Sequence, residues 1–462
     1  MTPDTAVILA GGRGRRIRDV TKKPKVIIET DVYGFSVLER HLKGLSRQGV
    51  ERFVIVVGYK ADEVINYVKS KGLDKIYEIY FAKTDNYDKY GNGYGALSAE
   101  KYVDRPFLLV MGDHIIDYSF LGFFHGRVSK NRPLIDFIDT IINYVKPEWC
   151  TKVRISNGYV TASSKNLEKF DGVDIGCFLC HPSVFAILKR LAKEGKTEWN
   201  DLVEYVIERY GLPYFDIKGK FWHGINNKEQ YESAKKSIID SLRHPEEGPV
   251  TYFFNRRISM AISKKIAHYP VTPNMVTFLV LLFSAVPAFL ASVGTKLGFI
   301  LSSITIQLYS ILEGCDGEIA RLKLMESNWG RFFDGIADRI AEVLIFSGLI
   351  LGIWRYTGNF NLVYLCMLTW AAISLTHAGG ALSFFLVPHA ELKPTYRKFK
   401  FKLRKLSTRD MQLFYVSLGV FLLAFSEFWF SFVFSLTAIL LFSYTFLKIL
   451  LYWKKYGKQK TR

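Results

Sequence analysis

The chain has 462 residues, more than one compact core accommodates, so two or more domains are expected. Hydrophobic residues make up 49% and charged residues 23%, an average that conceals two unlike halves: charges are frequent up to about residue 250 and retreat into a few clusters beyond residue 270. The net charge of +19 raises nucleic acid as a partner, but much of the excess lies at 393–409 and 454–462, beside apolar stretches rather than on one soluble face, and nucleic acid is set aside.

No signal peptide opens the chain, because TPDTAVILAGG reaches glycine after a few apolar residues, so the first domain is expected in the cytoplasm. TAVILA (5–10) predicts a buried parallel strand running straight into glycines. FVIVVGY (53–59), IYEIYFA (76–82), FLLVMGD (107–113) and VDIGCFLC (173–180) are further strands, alternating with helical stretches. That alternation predicts a doubly wound, Rossmann-like α/β domain over residues 1–243. Five cysteines without a paired framework suit a reducing compartment. Cys177-Phe-Leu-Cys180-His181 matches a c-type haem attachment string. That attachment normally takes place outside the cytoplasm, and this string reads as a strand entering a helix, so haem is rejected.

LAGGRGRRI (9–17), followed by KKPK (22–25), places Ala10, Gly11, Gly12 and Gly14 in a tight loop after the first strand. Exposed amides there can cradle a triphosphate, with Arg16 and Lys25 balancing its charge. Attack of one phosphate on another brings two anions together, so such a site works by neutralisation and alignment. The pattern resembles the sugar-phosphate nucleotidyltransferase family. By that resemblance GNGYGAL (91–97), with Gly93, contacts the base, Asp113 binds at least one Mg²⁺ or Mn²⁺, and Asn226 in WHGINN stands where the family places a second metal ligand. The resemblance covers about 4–240 and implies that a nucleoside triphosphate and a phosphate monoester are joined with release of pyrophosphate.

Residues 244–270 read as a linker (HPEEGPV) followed by a basic, amphipathic segment (251–266) suited to lie along a membrane surface or to form an ordinary surface helix. Six membrane spans are expected at about 275–294, 297–315, 336–355, 361–387, 411–426 and 428–447, making 271–462 an all-α membrane domain. Lysine and arginine concentrate on one side of these spans. The positive-inside rule then puts both termini and both sites in the cytoplasm. The basic stretch before the fifth span offers Arg397, Lys398, Lys405 and Arg409 either as a phosphate site or as an ordinary positive flank.

Between the second and third spans stands EGCDGEIARLKLMESNWGRFFDGIAD (313–338). A carboxylate near a membrane centre costs roughly 2.5–3.5 kcal/mol on the mildest scale, so this cluster needs compensation. Glu313 and Asp316 are spaced i, i+3, and Asp334 and Asp338 i, i+4, so each pair shares a helix face. Two helix ends facing each other would gather four carboxylates suited to hard divalent cations, Mg²⁺ or Mn²⁺. The string Glu313-x2-Asp316-Gly317-x2-Ala320-Arg321-x8-Gly330-x3-Asp334-x3-Asp338 resembles the signature of the CDP-alcohol phosphotransferase family, departing from it at Glu313, where the family has Asp. The resemblance implies two ions held by Glu313, Asp316, Asp334 and Asp338, with Asp338 also deprotonating the attacking hydroxyl. It further implies a nucleotide bound at Gly317, Ala320, Arg321 and Gly330, with CMP as a product.

Taken whole, the chain resembles bifunctional enzymes that couple an inositol-1-phosphate cytidylyltransferase to a di-inositol phosphate phosphate synthase. That implies CTP, inositol-1-phosphate and CDP-inositol as partners. A homodimer through the membrane domain stays open. Two rival readings are a phospholipid synthase with a degenerate front domain and a non-enzymatic membrane scaffold.

Overall fold

A computed structural model describes the chain except residues 1–2, 31–33, 86–88, 242–247, 387–404 and 457–462. It divides into two compact units, Met1–Ser241 and Leu242–Arg462.

The first unit is built on a nine-stranded mixed sheet. Strands β1 (Thr5–Leu9), β2 (Arg52–Val57), β3 (Glu78–Lys83) and β4 (Phe107–Met111) run parallel in the order β3-β2-β1-β4. Helices α1 (Val37–Ser46) and α2 (Ala61–Ser70) cross between the first three, and the short α3 (Asn92–Ala96) precedes β4. β1 and β4 are unbroken apolar runs because both faces of the sheet are covered. Beyond β4 the doubly wound pattern gives way. After β5 (His114–Ile116), β6 (Leu134–Asp139), β7 (Lys152–Ser156), β8 (Tyr159–Ser164), β9 (Gly172–Cys180), β10 (Leu212–Asp216) and β11 (Trp222–Gly224) complete the strands, and β9 lies antiparallel to both β4 and β6. Cys177 and Cys180 sit fully buried in β9. β7 and β8 form a hairpin across Asn157 and Gly158, whose φ values of 51° and 80° suit the two central positions of a tight turn. Helices α4 (Val184–Lys193), α5 (Trp199–Tyr210) and α6 (Lys228–Ser241) complete the unit. Since β1 is flanked by β2 on one side and β4 on the other, the loops at its carboxyl end part and leave a crevice.

The second unit is helical. A turn at Thr251–Asn255 leads into α7 (Arg256–Ile266). Then come α8 (Pro273–Phe283), α9 (Ala285–Ser292), α10 (Lys296–Leu322), α11 (Asn328–Thr357) and α12 (Phe360–Leu386), followed by α13 (Arg409–Leu423) and α14 (Glu427–Tyr456). Pro287 offers no N–H to the Phe283 carbonyl, which is where α8 and α9 part. Among the described residues four stretches are long and apolar enough to cross a bilayer: Pro273–Ser292, Lys296–Leu322, Phe360–Ala378 and Glu427–Leu450. α11 differs because acidic and basic side chains fill its first half, and α13 because it has only 15 residues. Large apolar side chains such as Phe289 and Tyr364 stand exposed around the bundle, as a lipid-facing surface requires. Inside it α11 packs on α9 through Gly348 and Gly352, where an added Cβ would collide with the Ala288 and Ala291 carbonyls. Glycines four apart let membrane helices approach closely.

Candidate active sites

In the first unit β1 ends in Ala10, Gly11 and Gly12. Ala10 donates to the Val56 carbonyl, and the Gly11 carbonyl accepts from Tyr59, so the start of the loop is anchored to the end of β2 and its glycines keep the crevice open. Gly14 has φ 56°, and a Cβ there would press on the Lys25 side chain; glycine is needed on both counts. The Lys25 ammonium lies 3.0 Å from Asp113 Oδ2 and 3.0 Å from Asn226 Oδ1. His114 Nδ1 meets Asp113 Oδ1, also at 3.0 Å. The Ile225 amide donates to the Asp113 carbonyl, which brings Asn226 beside a residue far from it in sequence. Burial pushes the Asp113 carboxyl up, but the Lys25 ammonium and His114 outweigh it and hold the group well below the usual carboxylate range. Two oxygens from separate segments converge on one cation, and oxygen donors of this kind suit Mg²⁺ or Mn²⁺.

Two cavities meet at Asp113. The smaller, about 180 Å³, is lined by Ala10, Gly11, Gly12, Gly14, Lys25 and Tyr94 among others. The larger, about 610 Å³, has Arg16, Lys165, Asp174, Glu198, Asn200 and Asn226 in its wall. Gly93, expected at the base, does not line the smaller cavity: its Cα faces the Thr197–Glu198 backbone, where an added Cβ would stand 2.7 Å from Glu198. The neighbouring Asn92 holds the Trp199 amide at 2.8 Å. Of the polar wall of the larger cavity, Arg16 and Asn226 were read from the sequence, and Lys165, Asp174, Glu198 and Asn200 were not. These four come from β9, α5 and the segments beside them, and only the fold assembles them.

In the second unit the carboxylates stand at the C-terminal end of α10 and the N-terminal half of α11. Thr277 Oγ1 donates to Asp316 Oδ2 at 2.5 Å, and the Gly317 amide donates to Asp316 Oδ1. The Asp316 and Asp334 carboxyls lie close enough to act on each other, an arrangement of like charges that a proton or a cation between them makes tolerable. Glu313 and Asp338 meet Arg409 instead. Its Nε lies 2.6 Å from Glu313 Oε1, although that N–H does not point along the contact, and its Nη1 lies 3.0 Å from both Asp338 Oδ2 and Glu342 Oε1. Arg409, offered by the sequence as a phosphate site or an ordinary positive flank, stands within the cluster. Arg397 and Lys398 lie outside the described residues, and Lys405 makes a turn with Thr408 through its carbonyl. Arg321 folds over Gly317, and Gly330 lies against Ser327 and Asn274; Ala320 is half-buried beside them.

As the side chains stand, no three acidic, histidine or cysteine groups form a metal cage among the described residues. The donor set still fits divalent ions: it is all oxygen, it contains a facing carboxyl pair, and Glu313 Oε2 is buried without a partner. Glu342 went unread although it continues the four-residue spacing of Asp334 and Asp338. Its neighbours are Arg339 at 2.8 Å and His377 at 3.7 Å.

Residues 270–453 match the family model for CDP-alcohol phosphatidyltransferase, and residues 6–122 the one for a MobA-like NTP transferase domain. A bifunctional IPC transferase and DIPP synthase of Aquifex aeolicus (strain VF5) is 31% identical over 350 residues, covering 75% of this chain and 77% of its own length. One from Rubrobacter xylanophilus is 32% identical over 356 residues with the same shares. The solved inositol-1-phosphate CTP transferase from T. maritima is 22% identical, with a TM-score of 0.45 over 51% of this chain and 96% of that one.

Proposed function

The chain belongs to the family of bifunctional IPC transferase and DIPP synthases, and from that membership and its two sites we propose that it catalyses two reactions in series. At the first site a phosphate oxygen of inositol-1-phosphate attacks the α-phosphorus of CTP, and pyrophosphate leaves with formation of CDP-inositol. The glycine loop holds the triphosphate, Lys25 and Arg16 neutralise the approaching anions, and the larger cavity takes the polyol through its hydroxyl-directed wall.

At the second site a hydroxyl of another inositol-1-phosphate attacks the phosphorus bearing inositol, and CMP leaves. The product is a phosphorylated di-inositol phosphodiester. Asp338 takes the hydroxyl proton, Gly317 and Ala320 leave room for the cytidine diphosphate, and Arg321 faces its phosphates. Asp113 with Asn226, and Glu313, Asp316, Asp334 and Asp338, would hold Mg²⁺ or Mn²⁺: one ion at least in the first unit and two in the second. When bound, such ions neutralise phosphate charge and stabilise attacking and leaving oxygens.

We assign 1–243 to the first activity, 244–270 to a linker and interfacial helix, and 271–462 to a membrane domain crossing six times with both sites on the cytoplasmic side. The observation that carries the reading is that one chain holds both a nucleotidyltransferase-type site and the CDP-alcohol motif, so the product class of one is the substrate class of the other. The full chain in detergent, given CTP, Mg²⁺ and labelled inositol-1-phosphate, should release pyrophosphate and CMP and put label into a water-soluble phosphodiester seen by phosphorus NMR. Label recovered only in an organic-extractable lipid would overturn the reading in favour of a phospholipid synthase.

A further inference from the structure

The membrane-domain carboxylates do not behave as one set. Asp316 and Asp334 face each other, and Asp316 is braced by Thr277 and the Gly317 amide. Glu313 and Asp338 are bridged by a cation belonging to the chain, Arg409, which Glu342 and Tyr309 hold from behind. The Arg409 side chain is 16% exposed, with its Nε buried. Glu313 is also the one position where the motif has Glu for Asp, and its longer side chain carries the carboxylate to within 2.6 Å of Arg409.

A divalent ion bound by Glu313 and Asp338 would stand within a few ångströms of this guanidinium, and two cations on one pair of carboxylates repel strongly in a partly buried site. The two ion positions are therefore inequivalent. One is at the Asp316 and Asp334 pair, where Thr277 and the Gly317 amide brace Asp316. The other, at Glu313 and Asp338, needs Arg409 to turn away, which is favourable only if another anion receives it. A phosphate monoester matches the guanidinium fork better than separate carboxylates do. We propose that Arg409 is a transferable counter-cation: it occupies Glu313 and Asp338 until the phosphate of the acceptor draws it off, so that acceptor binding loads the second divalent ion.

This rests on the two-ion reading of the site proposed above. The coupling is reciprocal, so the ion likewise tightens the acceptor, and couplings of this kind run from about 5- to 150-fold. Its consequence is that the CDP-alcohol meets a fully loaded site chiefly when an acceptor is present, which limits its hydrolysis by water.

The full chain in detergent is titrated with Mn²⁺, with and without inositol-1-phosphate, and read by electron paramagnetic resonance. Two Mn²⁺ ions at the roughly 3.5–4 Å spacing of a binuclear site give a spin-coupled signal that a single ion in the first unit does not. In the natural chain inositol-1-phosphate should lower the Mn²⁺ concentration at which the coupled signal appears by about tenfold. Arg409→Gln should give the signal at low Mn²⁺ without acceptor and lose the response, and Arg409→Lys should keep part of it. Glu342→Gln, which loosens Arg409 but leaves the motif intact, should shift the acceptor-free signal the same way if Arg409→Gln fails to fold. A coupled signal at one Mn²⁺ concentration with or without acceptor overturns the coupling and leaves the two-ion reading standing. Absence of a coupled signal under every condition overturns both.

Discussion

Asp136 shows how far one buried carboxyl can shape the first unit. It is 1% exposed, and neither of its oxygens has a donor facing it. Burial, followed by the neighbouring Asp174, raises its pKa well above that of an ordinary aspartate, so it stays protonated in the fold. In the unfolded chain it ionises near pH 4. A carboxyl raised on folding contributes its full stability below the unfolded pKa and loses it as pH climbs toward the folded one. Asp174, pushed up to about 6 chiefly by burial, adds to the same trend. Asn at 136 keeps the shape and a donor without titrating. Asp136→Asn should therefore flatten the fall in stability between about pH 5 and 8 and raise the first unit's melting transition at pH 8 by roughly 2–4 °C, about 1 kcal/mol for a unit of this size. Calorimetry of the full chain at both pH values measures it. An equal drop in both chains would show that Asp136 does not carry the proton.

Between elements a buried linkage of the second unit joins α7 to α10. Arg256 Nη1 meets Glu318 Oε1 at 2.8 Å with Glu318 fully buried, and Ser259 Oγ donates to the same oxygen at 2.5 Å. Glu318 follows Gly317 directly, so the linkage fixes the rotation of the helix that presents Asp316. Removing one partner strands a buried charge at a cost of about 3–5 kcal/mol, whereas removing both can be nearly neutral. Arg256→Met alone should lower thermal stability in detergent sharply, and Arg256→Met with Glu318→Gln should recover most of it. If the double change is as unstable as the single one, the pair is not the linkage.

α7 was legible in the sequence as basic and amphipathic, but not that its first arginine turns inward. Charge pattern marks a face, and only the packed partner shows where that face goes. The same holds elsewhere. β1, β2 and β4 were readable because buried parallel strands are unbroken apolar runs. β6 was not, because Asp136 and Asp139 interrupt its pattern, and β5 and β11 are three residues long. The carboxylates of the membrane motif could be read from their spacing. Arg409 inside their cluster could not, since it arrives from a helix some 70 residues on.

At the scale of the whole molecule two units carry two sites on one chain, and the remaining question is whether joining them is needed for the intermediate to pass. CDP-inositol is small, charged and water-soluble, so it has no tendency to stay in lipid, and the proposed placement of both sites on one side of the membrane would let it cross through solvent. Two full-length variants separate the steps. Asp113→Ala removes the carboxylate that Lys25 and His114 hold and should stop pyrophosphate release while leaving use of supplied CDP-inositol intact. Asp338→Asn removes the proposed base and should let CDP-inositol accumulate. Neither alone should make the phosphodiester from CTP and inositol-1-phosphate; mixed in detergent, they should make it after a lag that shortens as total protein rises, because the intermediate must build up in solution. Phosphorus NMR or labelled inositol-1-phosphate follows the course. A mixture that accumulates CDP-inositol without forming phosphodiester would mean that the intermediate passes only within one chain, and product from Asp338→Asn alone would remove that residue from the role of base.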